Sequence, residues 1–268
     1  MTTAPVRRLR RSAAALVVGL AACGVSQDQE VAAGRQNAEQ INTRLPIVRD
    51  PVVGEYVQQL GLSIARTTPR ADLDWRFFVV DSREVNAFAL PGGIIYVNRG
   101  LIERADRLDE LAGALGHEIG HVVLRHSVEQ MNKAKGANVA VALTCTLTRL
   151  CDNNVAQAAI QVGGAALFAK YSRQDELEAD AEAVENVIAA GIDPDGIPAL
   201  FERLMAERRS SPLAIETFFA SHPLEEDRIR EAERVIAALE PARLQGLARD
   251  VPSYQAFRAR LAAVRRHP

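Results

Sequence analysis

The stretch Leu108-Asp109-Glu110-Leu111-Ala112-Gly113-Ala114-Leu115-Gly116-His117-Glu118-Ile119-Gly120-His121-Val122-Val123 decides how the rest of the chain is read. Leu108, Leu111, Leu115, Ile119 and Val122 recur every three or four positions, the spacing of one face of an α-helix, and Asp106 is the expected N-cap. His117 and His121 are four residues apart, so their imidazoles stand one turn from each other and can reach one ion at about 2.0 to 2.1 Å. Glu118 projects to a neighbouring flank, where a carboxylate can act as general base beside an ion without ligating it. With 5 histidines and 20 glutamates in 268 residues, a chance H-E-x-x-H is expected about 0.01 times. At about 100° per residue the histidines fall opposite Leu115 and Ile119, beside Gly113 and Ala114. Such a helix is buried on both sides. Gly113, Gly116 and Gly120 each cost roughly 1 kcal/mol relative to Ala in a helix interior, so another element is expected to pass close to them.

A catalytic zinc takes three protein ligands and keeps a fourth position open. The run Gln174-Asp175-Glu176-Leu177-Glu178-Ala179-Asp180 is the best source of the third, on a helix capped by Ser172 and ended by Gly191. Glu176 and Asp180 share a face one turn apart, while Glu178 lies about 200° from Glu176. Spacing therefore favours Glu176, with Asp180 in support, over Glu178. Leu177, Ala181, Val184 and Ile188 are the expected apolar stripe of this helix. Of the other histidines, His126 and His267 read as ordinary residues, and His222 precedes Pro223 in a loop between helices.

Upstream of the metal helix, Trp75–Val80, Val85–Leu90 and Ile94–Val97 read as strands of a small antiparallel sheet, punctuated by Asp81-Ser82 and Pro91-Gly92-Gly93. An edge strand there would let an extended peptide add to the sheet. Downstream, helices are expected over Pro194–Glu207, Leu224–Leu239 and Ser253–Arg266. The fold class is α+β and mostly helical.

The N-terminus reads as an export signal. Arg7, Arg8, Arg10 and Arg11 precede an apolar stretch from Ala13 to Ala22 that is too short to span a bilayer. Leu20-Ala21-Ala22-Cys23 has the form of a bacterial lipobox, which would make Cys23 the lipidated first residue. Gly24, where an Asp would retain the protein in the inner membrane, points to the outer one. The expected segments are a signal peptide (1–22), an N-terminal helical linker (23–50), a peptidase domain (51–240) and a C-terminal helical tail (241–268). Without the four arginines of residues 1–22, the 32 basic residues fall to 28 against 34 acidic ones. The mature net charge of −6 favours solubility and gives no footing for nucleic acid. Cys145 and Cys151 would then be the two thiols of an exported chain, where a disulfide is the usual outcome.

Beyond H-E-x-x-H, the chain resembles the zinc metallopeptidases that include the CaaX prenyl protease, HtpX and the periplasmic beta-barrel assembly-enhancing protease. The resemblance rests on Asn86-Ala87-Phe88-Ala89-Leu90-Pro91-Gly92-Gly93 and Gly116-His117-Glu118-Ile119-Gly120-His121. It also rests on Tyr171-Ser172-Arg173 followed by Glu176-x-x-x-Asp180, and on Ser221-His222-Pro223 followed by Arg228-Ile229. It implies a gluzincin-type domain with zinc on His117, His121 and Glu176, and Asp180 behind a ligand. His222 is implied near the metal, either in the open position or as an oxyanion donor. The several transmembrane helices of the prenyl protease and HtpX branches have no counterpart here.

These readings converge on a zinc endopeptidase, lipid-anchored in the bacterial periplasm. Glu118 would be its base, and extended segments of unfolded or unassembled envelope proteins its substrates. The competing reading is an envelope lipoprotein that chaperones or binds proteins and whose zinc site is structural or latent. Retention of Glu118 beside the open position distinguishes the two.

Overall fold

A computed structural model describes residues 24–133, 171–210, 226–265 and, between them, residues 215, 218 and 222. Cys23, Cys145, Cys151 and the stretch 1–22 lie outside the described residues. The helices are α1 (Gln27–Asn42), α2 (Pro51–Ala65), the short α3 (Arg99–Ile102), α4 (Leu108–Val123), α5 (Arg173–Ala189), α6 (Gly196–Ser210), α7 (Glu226–Ala237) and α8 (Pro252–Ala263). The strands are β1 (Arg76–Val80), β2 (Ala87–Leu90) and β3 (Ile94–Asn98). No helix among the described residues is long and apolar enough to cross a membrane.

Local sequence explains the starts of three helices. Ser26 and Gln29 form a capping box at α1, Asp50 caps α2 ahead of Pro51, and Ser172 and Asp175 form a capping box at α5. The start of α4 differs from expectation. Arg107 occupies its N-cap without a side-chain bond, because the Asp106 carboxylate is taken by Arg203 and Arg258.

The sheet is mixed, in the order β1-β3-β2, with β2 antiparallel and β1 parallel to β3. This corrects the expected all-antiparallel sheet. The chain leaving β1 passes to the far side of β3 before forming β2, so β1 and β2 do not pair although they follow one another in sequence. Period-two alternation carries no record of neighbour order. Every residue of β3 is buried, as befits the central strand. Its Ile95 and Val97 join the main core with α2 and α4, while Ile94 and Tyr96 pack under α1 with Ala38. The stretch expected as a linker thus contributes a helix that covers one sheet face. Its Glu30 is buried and accepts from Arg70, from Arg125 and from the Gly92 amide.

α4 is the central helix, buried along all but its last residue. Its glycines do what the sequence required of them. A Cβ at Gly120 would come within 2.8 Å of the Ala179 carbonyl oxygen of α5, and one at Gly113 within 2.8 Å of Ile197 of α6. The backbones of α5 and α6 approach through these gaps and place their side chains against the α4 histidines.

Of the expected α5 stripe Leu177, Ala181, Val184 and Ile188, the last two are buried and the first two are not. Glu176, Ala179, Asp180, Ala183 and Val187 are buried, whereas Leu177 and Ala181 sit at the border. Two carboxylates can lie in that face because imidazoles and a guanidinium meet them there.

Candidate metal centre

His117, His121, Glu176 and His222 converge so that one ligand atom from each lies within 4.8 Å of all the others, and all four residues are buried. The Nε2 atoms of His117 and His121 are 3.0 Å apart, and His117 Nε2 is 3.3 Å from His222 Nδ1. Glu176 Oε1 stands 3.2 Å from His222 Nδ1 and 3.4 Å from His121 Nε2. Ligand bonds of about 2.0 to 2.1 Å in a tetrahedron put ligand atoms about 3.3 to 3.4 Å apart. The cluster therefore has the edge lengths and the nitrogen-and-oxygen donor set that zinc takes.

The surroundings keep Glu176 and His121 in their ligating forms. Burial alone would raise the Glu176 carboxyl, but His222, His121 and His117 outweigh it and hold the group well below the usual carboxylate range. Burial pushes the His121 imidazole well below its ordinary value, which favours the neutral ring a metal needs. Asp180 stays low despite burial, because Arg228 and His117 favour its charge. Arg228, itself buried, reaches Asp180 Oδ2 at 2.7 Å, also bonds Glu176, and lies 4.9 Å from the centre of the Phe201 ring. Both carboxylates on α5 are thereby tied to α7.

Glu118 differs from its neighbours in being left partly unsatisfied. Burial raises its carboxyl above the ordinary value, against the pull of His222 and His117. The Ala89 backbone also lowers it slightly, and His222 Nε2 stands 3.5 Å from Oε1. Oε2 is buried with no partner among the described residues. A buried carboxylate with one idle oxygen, raised affinity for a proton and a position beside a donor cluster is equipped to take up a proton.

The chain belongs to peptidase family M48. Residues 51–236 match that family, which is zinc-dependent. Metalloprotease YcaL of Escherichia coli strain K12 is 32% identical over 186 residues, covering 69% of this chain and 70% of that protein. The beta-barrel assembly-enhancing protease of the same strain is 26% identical over 227 residues, covering 82% of this chain. The chain spans only 46% of that relative's length. Mitochondrial metalloendopeptidase OMA1 of Schizosaccharomyces pombe is 30% identical over 178 residues, or 66% of this chain and 51% of that protein.

The structure thus brings His117, His121, Glu176 and His222 into one cluster, with Glu118 beside it, and sets Asp180 Oδ1 2.8 Å from His117 Nδ1. Glu178, the competing candidate on α5, points away and is half-exposed, with Oε2 3.4 Å from His126 Nε2. Two residues escaped the sequence reading of roles. Arg228 stands out in the sequence only as part of a motif, and nothing in its local pattern marks a cation that will be buried against carboxylates from another helix. His126 was read as ordinary, yet it is buried and its Nδ1 is 2.9 Å from His121 Nδ1. The five-residue spacing hid it, since residues five apart do not share a helix face. Arg125, with φ of 60°, breaks the helix and turns His126 back toward His121.

Proposed function

We propose that this chain is a zinc metalloendopeptidase of the bacterial envelope, acting on extended segments of unfolded or unassembled proteins. His117, His121 and Glu176 would hold the ion, and bound zinc would supply the Lewis acid that polarises the scissile carbonyl. The observation that carries this reading is the Glu118 carboxylate, with Oε1 3.5 Å from His222 Nε2 of the donor cluster and Oε2 buried and unpartnered among the described residues. From there Glu118 takes the proton of the attacking water and returns it to the departing amine nitrogen. Ala89, whose backbone acts on the Glu118 carboxyl, lies in β2, an edge strand of the sheet. A substrate adding to that edge as a further strand would run past the Glu118 carboxylate, which favours an extended chain. A purely structural zinc has no use for a raised, idle carboxylate beside it.

The N-terminal reading belongs to the same proposal. Residues 1–22 direct export and Cys23 carries the lipid that holds the protein to the periplasmic face of the outer membrane. The experiment is metal analysis of the mature protein together with degradation of casein, with and without a chelator. Near one zinc per chain with chelator-sensitive cleavage is expected. Zinc without cleavage of any unfolded substrate would favour the binding-module reading.

A further inference from the structure

His121 is held at its outer nitrogen by another histidine, whereas His117 is held by a carboxylate. With His121 Nε2 among the ligand atoms, its ring proton must sit on Nδ1, and that N–H points at His126 Nδ1 at 2.9 Å. Two imidazole nitrogens at that distance need one donor and one acceptor. His126 Nδ1 is therefore the acceptor, and the His126 proton sits on Nε2, the atom facing Glu178 Oε2 at 3.4 Å. Glu178 is in turn held by Gln174 Nε2 at 2.7 Å.

The neighbouring residue supports the same ring from its face. Tyr171 stacks on His121 with centroids 3.8 Å apart and planes at 13°, and its hydroxyl is 2.9 Å from Ser127 Oγ. His126 and Ser127, adjacent in sequence and both buried, thus fix the tautomer and the tilt of His121.

We propose that His126 is a positioning residue for the metal centre, selecting the Nδ1–H tautomer of His121 and aiming its Nε2 lone pair at the ion, with Glu178 selecting the tautomer of His126 in turn. This rests on the reading of His121 as a zinc ligand and extends it to two residues that have no part in the chemistry. It also gives Glu178 a role suited to its half-exposed position, as the outer end of a donor chain.

The test measures zinc affinity by chelator competition for the full mature chain and for His121→Ala, His126→Leu and His126→Asn. His126→Leu removes the acceptor and should bind zinc about 10- to 100-fold more weakly, the usual scale for losing a group that orients a ligand. Asn places Oδ1 near the former position of Nδ1, so His126→Asn should recover most of that loss, which restored volume alone would not do. Unchanged affinity in His126→Leu, with zinc lost from His121→Ala, would overturn the positioning role and leave the ligand reading standing. Wild-type affinity in His121→Ala would remove the ligand reading and this inference with it. Nitrogen NMR of the zinc-loaded wild type gives a readout independent of how the variants fold. A proton on His126 Nε2 is expected, and one on Nδ1 would overturn the proposal.

Discussion

Asp180 Oδ1 stands 2.8 Å from Nδ1 of His117, on the side of the ring away from the donor cluster. The bond joins α5 to α4 and fixes the His117 tautomer with Nε2 free for the ion, while Arg228 keeps the carboxylate charged. Asp180→Asn keeps the volume but weakens the acceptor and the hold on Arg228. Zinc affinity is expected to fall about 10- to 100-fold, measured by chelator competition. Undiminished affinity would mean that His117 needs no help in orienting.

Glu118 separates binding from chemistry. Because Glu118 stands beside the four clustered donors and not among them, with Oε1 facing His222 Nε2 and Oε2 unpartnered among the described residues, Glu118→Gln is expected to abolish casein cleavage with zinc still near one per chain. His117→Ala is expected to lose both. Equal loss of zinc in the two variants, measured by elemental analysis, would make Glu118 a ligand and not a base.

Tyr96 reports on the packing of α1. Its hydroxyl donates to Asn42 Oδ1 at 2.9 Å, and burial pushes the phenol up to about 12 from about 10 in an unfolded chain. A raised value means that the fold prefers the protonated phenol. The contribution is intact below pH 10 and is lost as pH rises through about 12. An alkaline absorbance titration of the wild type, less that of Tyr96→Phe, should isolate one late-ionising phenol. A difference centred near pH 10 would contradict the burial of Tyr96 under α1.

Membrane attachment is tested at Cys23. The apolar stretch before it is short, and no helix among the described residues could cross a bilayer. Cys23→Ser should therefore block lipid incorporation and leave the protein as precursor or in the soluble fraction. Release of the wild type without detergent would count against the anchor.

What could be read in advance follows from the range of the forces involved. The face shared by His117 and His121 is fixed by 3.6 residues per turn, and the choice of Glu176 over Glu178 follows from the same geometry, so both were legible. The pairing of β1 with β3 depends on where the chain crosses after Val80, which no alternation of Phe77, Phe78 and Val79 encodes. On α5 the pattern finds Val184 and Ile188 but misses the face in the first turns, because Leu177 looks apolar and Glu176 does not. Only the imidazoles and Arg228, brought from elsewhere in the chain, make burial of that carboxylate favourable. His126 was hidden by a left-handed turn at Arg125, where no glycine signals one.

His222 carries the sharpest remaining prediction. Its Nδ1 is 3.3 Å from His117 Nε2 and 3.2 Å from Glu176 Oε1, the spacing of ligands around a common ion, while Nε2 faces Glu118. Glu118 and Glu176 raise the imidazole above its ordinary value against the effect of burial, so the ring is drawn to the carboxylates on both of its nitrogens. A ring in that place fills the corner that a substrate carbonyl and a water would otherwise share, and it must swing out before cleavage. His222→Ala is thus expected to keep zinc, since three donors remain, and to show higher basal proteolysis at matched zinc occupancy. A rate about 10²- to 10³-fold lower would instead mark His222 as an oxyanion donor. An unchanged rate would show that the ring neither blocks the site nor serves it.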